Sequence, residues 1–260
     1  MGKLIAGALG LFTYGVLGAL LGVFIGHQFD RAFAGLLSPI SAERQRIIGK
    51  SFFTTVFSLL GYLAKVDGRI SKAEITQAEG LMSRMGLPPE QRREAIRLFQ
   101  QGAKPDFSVD QTMQAFVTTC ARQNNLKRSL LNYLIALALA DGELHTAERK
   151  ALQKIASYLG FSQSLFNRFL EMIMAQAYFR SSGANSKISS AKQLEAAYKA
   201  LGVSASCSDA EIKKAYRKLL SENHPDKLIG QGMPADMVKL ATERTQEIRK
   251  AYELISSNRK

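Results

Sequence analysis

The chain has 260 residues, a formal net charge of +13 and 46% apolar residues, an ordinary apolar fraction for a protein that buries cores. Its two cysteines, Cys120 and Cys207, exclude a disulfide framework and a cysteine-based metal cluster and fit a reducing compartment. A basic balance favours acidic surfaces, but the lysines and arginines are interleaved with Asp and Glu and form no long run, which argues against nucleic acid as a partner.

From Leu4 to Ile25 there is no charged residue. Those 22 residues suffice to cross a hydrocarbon layer of ~30 Å at ~1.5 Å per residue. A cleaved leader would have an apolar core of only ~7–15 residues before a small-x-small site; here Gly26-His-Gln-Phe-Asp-Arg follows. Residues 1–30 therefore read as an uncleaved transmembrane anchor, with His27 a polar residue at the interface. Gly18, Gly22 and Gly26 recur every four residues and Gly15 extends the same small face, which would let two such helices approach closely and form a homodimer. Lys3 alone precedes the span, whereas Arg31, Arg44, Arg46 and Lys50 follow it. That asymmetry places the remainder of the chain in the cytoplasm.

Residues 45–180 carry apolar residues at helical spacing near 50–66, 72–85, 89–101, 110–122, 129–140, 147–159 and 163–180, divided by Asp67-Gly68, Gly86-Leu-Pro-Pro89, Gly102-Ala-Lys-Pro105, Asp141-Gly142 and Gly160. No segment alternates with period two. Residues 64–74 align with residues 138–148 at an offset of 74, keeping Ala64/Ala138, Asp67/Asp141, Gly68/Gly142, Ala73/Ala147 and Glu74/Glu148; Gly86 and Gly160 continue the match. One unit, helix, Asp-Gly turn, helix, glycine, is thus duplicated. The arrangement resembles the TerB-like helical domain associated with tellurite resistance. Asp67, Glu74, Asp141 and Glu148 are the candidate metal ligands, since carboxylates from two related turns could converge on a hard cation. The spacing does not fit an EF-hand, and the competing reading is structural: Gly68 and Gly142 end one helix while Ser71 or Thr146 caps the next. No nucleophile–base pair and no phosphate-cradling glycine loop is present, so no catalytic residue and no cofactor is expected.

Ser181 to Ser190 is small and polar and reads as a flexible tether to a domain at 191–260. Within that domain Ser208-x-x-Glu211 is a capping box. It opens a helix with Ile212, Ala215, Leu219 and Leu220 on one face, Tyr216 at its edge, and Lys213, Lys214, Arg217 and Lys218 opposite. Pro225 has no amide proton and disfavours helix at His224. The helix should end at about Asn223 and leave His224-Pro225-Asp226 in an exposed bend. A second helix carries Met237, Leu240, Ala241, Ile248, Ala251, Tyr252 and Ile255.

Tyr198-x-x-Leu201-Gly202-Val203, the basic helix, His224-Pro225-Asp226-Lys227 and Gln246 to Leu254 together resemble a J-domain, the co-chaperone module that activates DnaK-type chaperones. With the span and the TerB-like middle, the whole chain is similar to the membrane-anchored bacterial DnaJ-like proteins. It lacks the Gly/Phe-rich segment and Cys-x-x-Cys module of a full-length DnaJ. The resemblance implies an all-α fold: a transmembrane helix, a TerB-like bundle with internal duplication, and a J-domain helical hairpin. It implies a co-chaperone and not an enzyme, with His224, Pro225 and Asp226 engaging a DnaK-type partner to stimulate ATP hydrolysis. Lys213, Lys214, Arg217 and Lys218 would steer that partner, and Tyr216 and Lys227 would support the loop. The segment after Asp226, Lys227 to Pro234, is longer than in shorter J-domains. The rival function is a membrane-bound metal or envelope-stress module centred on the duplicated Asp-Gly turns.

Replacing Gly18, Gly22 and Gly26 by leucine should preserve membrane insertion, because leucine is at least as apolar, and weaken the dimer by separating the backbones. Crosslinking in membranes measures this. Equal dimer yield before and after the change would make the glycine spacing incidental.

Overall fold

A computed structural model describes residues 41–66, 68, 72–139, 144–182 and 190–259, and residues 42–260 make up one compact unit. The transmembrane segment, with Gly18, Gly22 and Gly26, lies outside the described residues. Among the described residues every element is helical. Helix α1 is Ala42–Lys65, α2 Lys72–Met85, α3 Pro89–Gly102, α4 Val109–Thr119, α5 Asn124–Ala138, α6 Thr146–Tyr158 and α7 Gln163–Ser182. Helices α8 (Ser190–Ala200), α9 (Asp209–Glu222), α10 (Pro225–Gly230) and α11 (Val238–Asn258) follow, with a 3-10 turn at Ala235–Met237.

Helix α1 is apolar and long enough to cross a membrane by length and composition alone, but 67% of its apolar window is buried inside the fold. Ile48, Phe52, Val56, Leu59 and Leu60 are fully covered by protein, which makes α1 the central core helix. Phe52 bridges its neighbours: its ring lies 6.3 Å from Phe116 of α4 and 6.1 Å, edge-on, from Tyr133 of α5, within the range of favourable aromatic pairs. Helix α1 meets α3 at two glycines. A Cβ on Gly61 would lie 1.9 Å from the Phe99 carbonyl oxygen, and one on Gly102 would lie 1.8 Å from that of Ser58. The backbones touch there, and no side chain fits between them.

The duplication is visible in the helix ends. Helices α2 and α6 both close on a left-handed glycine, Gly86 at φ 74° and Gly160 at φ 85°. In each, the next amide reaches back to the helix: Leu87 N–H to the Met82 carbonyl and Phe161 N–H to the Ala156 carbonyl. This is the arrangement that satisfies the last carbonyls of a helix. Leu81 and Met85 in the first copy, Ile155 and Leu159 in the second, are buried at matching positions.

Two helices begin earlier than the apolar period indicates. Helix α1 starts at Ala42 rather than 50, and α5 at Asn124 rather than 129, with Leu126 already fully buried. Residues 183–189 of the predicted tether lie outside the described residues. The helices on either side of them pack together: Gln176 Nε2 of α7 donates to the Ala200 carbonyl of α8 at 2.8 Å, and Ala175 of α7 joins the cluster formed by Ala197, Leu201, Ile212, Leu219, Ile248 and Ala251. Thus α8, α9 and α11 share a core to which the middle domain contributes.

Changing Gly61 to Ala should cost about 3 kcal/mol through overpacking and lower the melting temperature by roughly 6–12 °C at ~2–4 °C per kcal/mol. Calorimetry of the folded chain checks this. An unchanged melting temperature would mean that α1 and α3 separate freely.

Candidate functional site

Helix α9 starts where the capping box predicts. The Glu211 amide donates to Ser208 Oγ at 3.4 Å, and the Ser208 amide donates to Glu211 Oε2 at 2.8 Å. These bonds from Ser208, backbone first, hold the Glu211 carboxyl below the usual glutamate range. The cap is therefore intact at neutral pH and is lost only as the pH falls through that lowered value. At the other end Asn223 stops the helix, its Nδ2 donating to the Leu219 carbonyl at 2.8 Å.

His224 then takes an extended conformation, φ −65° and ψ 126°, and Pro225 opens a new six-residue helix, α10. The expected bend is thus the start of a short helix. Proline forbids continuation of α9 but suits the first position of a fresh helix, where its missing N–H has no partner to lose. The Leu228 amide closes the first turn on the His224 carbonyl at 3.1 Å. The His224 side chain is 56% and the Asp226 side chain 88% exposed, with Nδ1 and Oδ2 4.0 Å apart. Lys227 Nζ donates to Ser221 Oγ at 2.9 Å across the bend. Lys213, Lys214, Arg217 and Lys218 are all exposed on α9. Tyr216 is half-buried, its ring stacked on Tyr252 of α11 with centroids 4.1 Å apart and 10° between planes. The structure therefore places an exposed imidazole and an exposed carboxylate at the turn that follows the exposed basic face of α9.

Residues not singled out from the sequence lie immediately behind this end. Arg128 of α5 pairs with Glu222, two residues before His224. Tyr133 of α5, fully buried, donates its hydroxyl to the Met237 carbonyl at 3.1 Å, and burial pushes its ionisation well above the usual tyrosine range. Arg244 of α11 is also enclosed; desolvation lowers its pKa to about 10, opposed by Glu247, Tyr133 and Glu222, so it remains charged at neutral pH. The only sequence signal for this region was the length of the loop after Asp226.

The metal candidates do not gain a described site. Asp67, Asp141 and the side chain of Glu74 lie outside the described residues. Glu148 is buried, and its Oε2 accepts the His145 amide at 2.9 Å as a helix cap, a role the structural reading of these turns anticipated for neighbouring Thr146. Among the described residues no three His, Cys, Asp or Glu side chains group as metal ligands. Cys120 is buried, which pushes its thiol up to about 11.

Residues 196–260 match the DnaJ domain family, residues 54–171 the family Tellurite resistance protein TerB, and residues 1–50 the family Co-chaperone DjlA transmembrane domain. Fold and motifs thus define a membrane-anchored co-chaperone of the J-domain class, whose partner is a DnaK-type chaperone. Similarity then extends over nearly the whole chain. Co-chaperone protein DjlA of Coxiella burnetii is 38% identical over 98% of this chain and 96% of its own length; that of Salmonella typhimurium is 37% identical over 99% and 97%; that of Vibrio cholerae is 39% identical over 90% and 89%. No solved structure matches. The chain belongs to the DjlA co-chaperone family.

The stack of Tyr216 on Tyr252 should couple α9 to α11 by about 0.5–1.5 kcal/mol beyond area burial. A double-mutant cycle with Tyr216→Ala and Tyr252→Ala, read by urea unfolding, measures it. Strict additivity would reduce the pair to two independent contacts.

Proposed function

We propose that this chain stimulates ATP hydrolysis by a DnaK-type chaperone through His224, Pro225 and Asp226, and localises that chaperone at the cytoplasmic face of a bacterial inner membrane. The observation that carries the reading is the exposure of His224 and Asp226 at the head of α10, beside the solvated Lys213, Lys214, Arg217 and Lys218. A basic face of this kind accelerates encounter with an acidic surface and fixes its register. Asp226 offers a free carboxylate for a charge-assisted bond to a partner guanidinium. Pro225 sets the backbone so that imidazole and carboxylate project from the same turn. The reacting groups belong to the partner, and this chain biases the partner's conformational equilibrium by binding one state more tightly.

The positive residues that follow the span, Arg31, Arg44, Arg46 and Lys50, support the cytoplasmic orientation. The glycine face of the span supports a homodimer. In the same reading the chain divides into an anchor at 1–30, the middle domain at 45–180, a connector at 181–190 and the J-domain at 191–260.

The test is a single-turnover ATPase assay of a DnaK-type chaperone with the full chain in detergent. The wild type should raise the hydrolysis rate, and His224→Gln should return it to the basal value. An exposed substitution of this kind should shift stability by no more than about 0.5 kcal/mol. No stimulation by the wild type, or full stimulation by His224→Gln, would overturn the assignment.

A further inference from the structure

A helix as short as α10 does not hold itself together, because nucleation costs more than one turn of hydrogen bonds returns. Its position must come from packing. Its one buried side chain is Leu228, fully covered. After it the chain turns at Gly232, φ 101°, and the Met233 amide returns to the Leu228 carbonyl at 2.9 Å. Met233 and Met237 are buried in turn. Tyr133 of the middle domain meets both, at the Met233 sulfur and the Met237 carbonyl.

Three contacts make that attachment. Tyr133 donates to the Met237 carbonyl and lies 3.8 Å from the Met233 sulfur. Gly49 of α1 faces the strap: a Cβ there would stand 3.0 Å from the Gly232 carbonyl oxygen and 3.7 Å from Pro234. Gly232 itself lies against Ile48, 2.7 Å from where its own Cβ would be. Polar ties flank the strap, with Gln91 Nε2 donating to Asp236 Oδ2 at 2.8 Å and Arg84 paired with Glu243 at 2.5 Å. On the other side of the turn, Arg128 holds Glu222. The His224-Pro225-Asp226 turn is therefore bracketed by two ties to one helix, α5.

We propose that Tyr133 and Gly49 are positioning residues for the His224-Pro225-Asp226 turn, acting through residues 228–237, so that the middle domain is part of the device that presents this turn to the partner chaperone. The inference rests on the reading of that turn as the stimulating element. Neither residue touches the partner-facing surface. Each fixes the strap, the strap fixes Leu228, and Leu228 fixes the short helix that starts at Pro225.

The experiment uses the full chain in detergent with Tyr133→Phe, which removes one oxygen and keeps the ring, and Gly49→Leu, which drives a side chain into the Gly232 carbonyl. Two quantities are read. The first is hydrogen exchange at the amides of Leu228, Met233 and Met237, which should quicken by roughly tenfold or more while interior amides of α1 and α5 stay slow. The second is stimulation of a DnaK-type ATPase as a function of chain concentration. Its maximum should fall by about threefold or more, with the half-saturating concentration held within about twofold because the basic face of α9 is intact. Unchanged or increased maximal stimulation beside faster exchange overturns the proposal, as does unchanged exchange in both variants. Should Gly49→Leu fail to fold, Tyr133→Phe carries the test alone. A wild type that gives no stimulation would sink the functional reading instead, and the exchange measurement would still decide whether Tyr133 and Gly49 hold the strap.

Discussion

The burial of α1 is the constraint on which the remaining packing depends. Along one helix, Gly49 accepts the strap of the J-domain, Phe52 collects α4 and α5, and Gly61 receives the backbone of α3. Each of those contacts requires the face of α1 carrying Ile48, Val56 and Leu60 to be turned inward, since a rotation would expose these residues and break all three contacts together. Fully burying one such aliphatic side chain is worth ~1.5–3 kcal/mol. The helix has the length and composition of a membrane span, and only its neighbours make it a core element. The apolar segment at Leu4 to Ile25 has no such test among the described residues; its match to a transmembrane family carries that assignment.

The chemistry at the head of α10 is simple, and what is demanding is its placement. An exposed imidazole and an exposed carboxylate on a free loop would sample many orientations, and a partner would have to pay the entropy of ordering them. Pro225 removes part of that freedom locally. Leu228, fully buried, removes more. Arg244 adds an electrostatic element to the same seam: a charged guanidinium enclosed beside Glu222 and Glu247 is costly unless those carboxylates stay near it. Glu247 lies on the same helix as Arg244, so Glu222 is the one carboxylate of the two that ties α9 to it. Glu222 pairs with Arg128 of the middle domain and adds a smaller favourable charge to the surroundings of Arg244.

Much of this architecture is legible in the sequence wherever punctuation is local. Helices α2, α3, α6 and α7 have Pro or Gly at their ends, and Ser208-x-x-Glu211 marks the start of α9 to the residue. The early start of α1 is hidden because residues 42–47 include three charged side chains and are mostly exposed, so no apolar period advertises its first turns. Helix α5 begins without a side-chain cap at Gln123, although Leu126, Leu130 and Leu134 at spacing four could have revealed it. Helix α10 was hidden because proline marks both the end of one helix and the first position of the next. The seam between the two domains has no local signature at all. Arg128 and Glu222 are 94 positions apart, and nothing about Gly49 in isolation distinguishes a contact glycine from a tolerated one. The carboxylate of Glu148, a residue type that suggests a ligand, accepts the amide at its own helix terminus.

The division of charge explains how a strongly basic chain can present a selective surface. Acidic residues in the described fold are largely committed. Glu211 caps α9, Glu148 caps α6, Glu222 and Glu243 bind arginines across the domain seam, and Asp110 accepts from both Lys154 and Tyr158. Asp226 is the exception that matters, since its side chain is almost fully exposed. Lys213, Lys214, Arg217 and Lys218 stand exposed on the same hairpin. A partner meeting this end of the molecule encounters a positive field broken by one accessible carboxylate. Such a pattern attracts an acidic surface in general and rewards the one that also offers a guanidinium at the position of Asp226. In the proposed reading attraction comes from α9, discrimination from Asp226, and the fixed distance between them from the short helix and the core behind it.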